Sequence, residues 1–296
     1  MKPILTLGLM LAATLSVKSA PADETAAANP TQSKPMAGMM EMMSPQPGFR
    51  LYGWIETGIT GNFASPNDNQ NFGRLLDDRA NEPLLNQFVL AAERGLDPSM
   101  ADRFDWAFRI QFLYGSDARY LKTIGLFDLI TDDTVQPDIP ELWFVAHFPI
   151  SGTAGGLDLK LGKFMTCEGA DMSDPRLNTF YSRAYIFNFG TPFYGVGVLA
   201  TMHACPCLDL YGGITRGVNV GTEDNNDSVS FYGGLGLNCC DGKVGVTINP
   251  PKPALITDLM IRPELRYDRS LNGTHPFNDS SDQDMFTAAV DFVVTF

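Results

Sequence analysis

Residues 104–114 read Phe-Asp-Trp-Ala-Phe-Arg-Ile-Gln-Phe-Leu-Tyr, and their two-residue period decides the fold class. Phe104, Trp106, Phe108, Ile110, Phe112 and Tyr114 fall on one face of an extended chain, with Asp105, Ala107, Arg109, Gln111 and Leu113 on the other. A helix would scatter these aromatics around its circumference. The run is close to the roughly 9–11 residues that a tilted strand needs to cross a bilayer.

The same alternation recurs on both sides of this stretch. Leu51, Gly53, Ile55 and Ile59 oppose Arg50, Tyr52, Trp54 and Glu56, and Leu142, Phe144, Ala146 and Phe148 oppose Glu141, Trp143 and His147. Leu157, Leu159 and Leu161 oppose Asp158, Lys160 and Gly162, and Leu259, Ile261, Leu265 and Tyr267 oppose Arg262, Glu264, Arg266 and Asp268. A soluble β-sandwich alternates too, so the side bias has to decide. An aromatic-heavy apolar face with charged pairs opposite suits lipid outside and water inside. At the end of the chain Phe286, Ala288, Val290, Phe292, Val294 and Phe296 form one face, and the terminal Phe296 looks like the signal that the outer-membrane assembly machinery reads.

Loop lengths give the topology. Long polar connections at 61–83, 116–140, 166–192, 217–227 and 270–282 alternate with shorter ones at 95–102, 151–155 and 203–206. Barrels of this kind place short turns in the periplasm and long loops outside, with an even strand number. Ten strands fit if 238–257 is one irregular periplasmic connection, and twelve fit if 181–189 and 243–248 each add a strand. The expected fold is an all-β, transmembrane, antiparallel up-and-down β-barrel of about 10 to 12 strands over residues 49–296.

Composition agrees. With 44% hydrophobic residues and a mean hydropathy of −0.05 the chain is neither disordered nor a helical membrane protein, and 28 Gly and 20 Phe suit a turn-rich, aromatic-faced sheet. Lys2, an apolar run over 3–17 and small residues at Ser19, Ala20 and Ala22 have the order of a secretory signal peptide, residues 1–22, cleaved after Ala22. Its loss removes Lys2 and Lys18 and no acid, leaving 19 basic against 34 acidic side chains, net −15. Nucleic acid is a poor partner for that surface. Residues 23–48 read as a disordered Met/Pro-rich periplasmic linker. Met36, Met39, Met40, Met42 and Met43 could hold Cu(I), but a plain leader is the simpler reading.

The motifs 104–109 and 113–120, Leu161-Gly162-Lys163-Phe164, the 178–188 stretch with Tyr181-Ser182-Arg183-Ala184-Tyr185, and Arg262-Pro263-Glu264-Leu265-Arg266-Tyr267-Asp268 occur in an order that resembles the OmpL-like beta-barrel porin-2 family of Gram-negative bacteria. The resemblance runs from about Gly53 to Phe296. It implies an outer-membrane porin of general or weakly selective diffusion, without catalytic residues or cofactors. One departure is the short stretch 238–258, which implies fewer hairpins and a narrower barrel.

The candidate pore-lining set is Arg50, Glu56, Asp105, Arg109, Glu141, Asp158, Lys160, Arg262, Glu264, Arg266 and Asp291, whose opposite charges would filter small polar solutes or ions by size and charge. The bland alternative is that these groups pair and plug a small barrel. Residues 181–189 either fold inward as a constriction with Arg183 as its charged tip or form an ordinary strand. Cys205, Cys207, Cys239 and Cys240 fall in connections on one side, so disulfides are the default in an oxidising compartment. Four thiolates could instead hold zinc or copper, although the usual C-x-x-C spacing is lacking. Cys167 stands alone in an outer loop. Outer-membrane barrel enzymes need a histidine near a nucleophile or an acid, and His147 faces inward on a strand, His203 lies in a short turn and His275 in an outer loop, so at most one is placed for shared chemistry. A third class is an adhesive barrel. Its acidic loops, with Asp68, Asp77, Asp78, Asp132 and Asp133, would bind a partner or bridge lipopolysaccharide through divalent cations. Membrane lipids and lipopolysaccharide, the assembly machinery and small solutes are the expected partners. No interface pattern fixes an oligomeric state.

Overall fold

A computed structural model of the chain describes residues 6–12, 15–18, 45, 47–126, 133–165, 171–206, 208–217, 219–223, 229–237 and 258–296. The strands are β1 (Thr6–Ala12), β2 (Leu15–Lys18), β3 (Gly48–Asn62), β4 (Pro83–Gly95), β5 (Asp105–Gly115), β6 (Gln136–Asp138), β7 (Leu142–Phe148) and β8 (Gly156–Met165). They continue with β9 (Tyr194–Cys205), β10 (Leu208–Thr215), β11 (Ser230–Leu237), β12 (Asp258–Ser270) and β13 (Asp284–Thr295). Two short helices, α1 (Ala118–Leu121) and α2 (Tyr185–Gly190), lie in the connections. Among the described residues no helix is long and apolar enough to cross a membrane.

All strands belong to one antiparallel sheet, ordered β1-β12-β13-β3-β4-β5-β7-β8-β9-β10-β11, with β2 also on β12 and β6 on β5. Each neighbour from β3 to β11 follows in sequence or skips only β6, so the all-β up-and-down reading holds. Among the described residues, ten strands between Gly48 and Thr295 are seven residues or longer. The alternation of a long connection at one end with a short turn at the other is also as expected. The start of β3 meets the chain end at the short-turn rim, where the Gly53 and Phe296 backbones exchange two hydrogen bonds of 3.0 Å.

The twelve-strand alternative loses one of its two additions. Residues 181–184 are in no strand and α2 begins at Tyr185, because the backbone there bonds to inward side chains instead of a ladder. The other addition, 243–248, lies outside the described residues.

The period-two pattern is realised as two unlike faces. In β5, residues 105, 107, 109, 111, 113 and 115 are buried while Trp106, Ile110, Phe112 and Tyr114 are exposed. Leu142, Phe144 and Phe148 in β7, Leu265 in β12, and Phe286 and Phe292 in β13 are likewise exposed. The inward face, expected to be wet, is mixed. Trp54, Val89, Leu113, Leu121, Tyr194 and Val293 pack into one apolar cluster, and Ala107, Trp143, Val145, Phe164 and Leu199 into another. Burial of such side chains contributes roughly 1.5–3 kcal/mol each. The interior is therefore partly a packed core.

Candidate functional site

The interior is organised by residues 171–193, between β8 and β9, which fold inward against the sheet. Arg262 on β12 donates through Nη1 to the carbonyls of Pro175 (2.7 Å) and Asn178 (3.0 Å), and through Nη2 to Glu56 (3.0 Å). Its Nε reaches both Asp291 oxygens at 2.9 and 3.1 Å. One turn of the pleat away, Glu264 accepts from the Ser182 backbone N–H and hydroxyl, and Arg266 donates to the Ser182 hydroxyl (3.0 Å) and the Arg183 carbonyl (2.8 Å). From β3 and β4, Trp54 lies under the Arg176 guanidinium at 3.8 Å, Gln87 donates to the Ser173 carbonyl (2.8 Å), and Asn86 accepts from the Tyr181 hydroxyl (3.0 Å). From β9, the Tyr194 hydroxyl meets that of Ser173 at 3.0 Å. Strands on both halves of the sheet touch the same segment, so the sheet must curl around it.

Local sequence explains how the segment fits. Gly58 of β3 faces the Tyr181 ring, and a Cβ there would stand 2.5 Å from it. Gly73, at φ +80°, yields to the Tyr185 ring in the same way. The β3–β4 register slips between Glu56 and Thr57, leaving Asn86 as an extra residue. This bulge turns both Asn86 and Gln87 inward, where they donate to Asp117 at 3.1 and 2.8 Å.

A second group of charges crosses β4, β5 and β7. Arg109 donates to Glu93 and Glu141, each at 2.9 Å, and Trp143 donates to Glu141 at 3.1 Å. A third joins the long loops: Arg74 bonds Asp77, Asp268 and Thr287, and Arg119 holds Asp78 through both terminal nitrogens. Burial pushes the Asp117 carboxyl up to about 6 against the bonds from Gln87 and Asn86. Burial, with Asp78 alongside, pushes Tyr120 up to about 12.

Of the candidate pore-lining residues, Glu56, Asp105, Arg109, Glu141, Arg262, Glu264, Arg266 and Asp291 are on the inward face and buried. The structure brings Glu56, Arg262 and Asp291 into one network and Arg109 and Glu141 into another. Asp158 and Lys160 are half-buried towards the short-turn rim, and Arg50 stands exposed at that rim, 3.8 Å from Glu93. Arg183 is not a projecting tip. It is buried, and its guanidinium bonds the carbonyls of Met172, Phe180 and Tyr181, which staples the inward segment to itself. Cys205 ends β9, whereas Cys167, Cys207, Cys239 and Cys240 lie outside the described residues.

Sequence reasoning missed Arg74, Asn86, Gln87, Glu93, Asp117 and Arg176. For Asn86-Gln87 a signal existed: a polar pair interrupting an apolar strand. Glu93 shares the inward face of β4 with Val89 and Ala91, so the period of two carried its signal, whereas Arg74, Asp117 and Arg176 lie in connections with no periodicity to betray their direction.

No curated protein matches this chain. Among solved structures, OprB of Pseudomonas putida, determined at high pH, aligns with a TM-score of 0.37 and 14% identity over 75% of this chain and 53% of that one. This chain thus spans about half the length of that protein. A family model matches residues 48–252, well over half of the 296 residues, and the chain belongs to the family described as putative beta-barrel porin-2, OmpL-like.

Proposed function

We propose that the protein is an outer-membrane diffusion channel that passes small polar solutes or ions through a charged interior narrowed by the 171–193 segment. One observation carries this reading: the outward face is aromatic and aliphatic, while the inward face holds paired charges around an inward-folded loop. Lipid suits the first face, and a polar path suits the second. Buried atoms such as Glu56 Oε2, Thr60 Oγ1, Asp77 Oδ1 and Arg266 Nη2 have no protein partner among the described residues, and such atoms are ordinarily hydrated. Residues 1–22 are read as a leader removed on export, and Phe296 as the assembly signal. The membrane lipids and lipopolysaccharide are the surroundings of the outward face. A link between Cys205 or Cys207 and Cys239 or Cys240 belongs to the same reading: Leu208 pairs with both Cys205 and Leu237, so the two cysteine-bearing connections start from adjacent strands.

The burial of Arg262, Asp291 and Glu56 favours a second reading, a non-conducting barrel whose outer loops bind a partner. Planar bilayers separate the two. A diffusion channel gives ohmic, ion-selective steps, and Arg50→Glu at the solvent-reached rim shifts selectivity towards cations. Silent bilayers with a folded, heat-modifiable protein would leave the second reading standing.

A further inference from the structure

At the short-turn rim four consecutive strands each contribute one titratable side chain to an unbroken chain: His147 from β7, Asp158 from β8, His203 from β9 and Asp209 from β10. Asp158 stands between the histidines, Oδ1 at 2.6 Å from His147 Nδ1 and Oδ2 at 3.2 Å from His203 Nε2. His203 Nδ1 lies 2.8 Å from Asp209 Oδ1, and His147 Nε2 lies 3.2 Å from the Ala101 carbonyl. Both ring nitrogens of His203 thus face aspartate side chains, and a carboxylate oxygen only accepts. A neutral imidazole has one N–H and one lone pair, so it would turn that lone pair on one of the two aspartates. The arrangement calls for a hydrogen on each nitrogen, the imidazolium form.

These groups sit where solvent still reaches the inner face. The side chains of Asp158, His203 and Asp209 keep 19, 32 and 17% exposure, against 6% for His147. The neighbouring charges are accounted for differently. Asp105, opposite His147 in β5, is bonded to Arg94 from β4, and Lys160, further along β8, places its amine over the Trp143 ring. His203 is therefore the accessible cation that bridges the Asp158 and Asp209 carboxylates.

We propose that His203 sets the ion selectivity of this mouth: charged, it offsets Asp158 and Asp209, and neutral, it sets no charge against theirs and turns the pore towards cations. The proposal rests on the diffusion-channel reading. A nearby charge acts over roughly a Debye length of 10 Å, which covers a rim of this size and weakens in high salt.

The test is the reversal potential across bilayers in a salt gradient, with the pH on the short-turn side raised from about 6 to about 10, either side of the ordinary histidine range. The wild-type potential should move towards the cation equilibrium value. His203→Arg, which stays charged and can bond both carboxylates, should abolish the move. His203→Gln should be cation-leaning at every pH, and His147→Gln should keep the wild-type shift. Conducting channels whose shift survives in His203→Arg, or that show none, overturn the proposal and leave the channel reading intact. With only three histidines in the chain, 15N-histidine NMR in micelles reads the ring directly. His203 protonated on both nitrogens at neutral pH is expected, and a neutral ring there overturns the proposal. Silent bilayers with a doubly protonated ring would count against the channel and its selectivity, but not against the bonded chain.

Discussion

Arg262 shows what a single inward side chain is asked to do. Taking a guanidinium and two carboxylates out of water costs several kcal/mol per ion, and the loss is offset only if the N–H groups find acceptors. Asp291, Glu56 and the Pro175 and Asn178 carbonyls supply them. Arg262→Ala leaves two buried carboxylates unbalanced and is expected to cost about 3–5 kcal/mol in urea unfolding from micelles. Arg103→Ala is the control. It faces Asp102 with the two side chains 63 and 79% exposed, so stability should not change measurably. Equal effects at both sites would mean that the Arg262 network is solvated. Asp117, in the turn after β5, predicts a pH dependence. Its folded pKa is raised to about 6 from an ordinary aspartate's 3.8, so the protonated form is favoured in the folded chain. The stability it contributes is full below about pH 4 and is lost as pH rises through about 6. Asp117→Asn should flatten that slope in unfolding measured across the range, and an unaltered slope would assign it to another group.

The strands and the inward segment differ in how far they can be read in advance. A strand declares its faces because its side chains alternate with period two, so Asp105, Arg109, Glu264 and Arg266 were legible as inward from their neighbours alone. What they bond was not, because their partners Ser182, Arg183 and Glu93 come from other elements, and a loop's backbone follows no period. The 181–189 stretch could be read as constriction or strand for the same reason: Tyr-Ser-Arg-Ala-Tyr has neither a turn signal nor a clear alternation. The structure shows Tyr181 seated against Gly58 and Ser182 held by Glu264, contacts more than 80 residues apart in sequence. If this segment is what narrows the interior, replacing residues 174–190 with a short Gly/Ser linker should raise single-channel conductance several-fold, as the lumen widens with the loss of its filling. Heat-modifiable migration would confirm that the shortened chain still folds. Unchanged conductance in a folded variant would place the narrowest point elsewhere, for example in the Trp54–Leu113–Tyr194 cluster.

At the scale of the whole molecule, the ladder has two ends, and hydrocarbon tolerates neither. An unpaired backbone N–H or C=O in lipid costs several kcal/mol, so a spanning sheet is stable there only when it closes on itself. Among the described residues β11 pairs with β10 alone, while the far side of β12 carries β1 and β2, from Thr6 opposite Ser270 down to Lys18 opposite Asp258. Those two strands fall within residues 1–22, the stretch with the composition of a removable leader. While they are present, β1 and β2 satisfy nearly the whole edge that β11 would need. We infer that removing residues 1–22 would open the 13-residue edge of β12 to β11, whose outer edge carries no strand among the described residues. The prediction is that a chain beginning at Asp23 refolds in detergent micelles to a heat-modifiable form faster and in higher yield than the full 296 residues. Proteolytic removal of residues 1–22 from the trapped full-length chain should bring it to the same heat-modifiable form. Equal rates and yields for the two chains would mean that β1 and β2 do not compete for the seam.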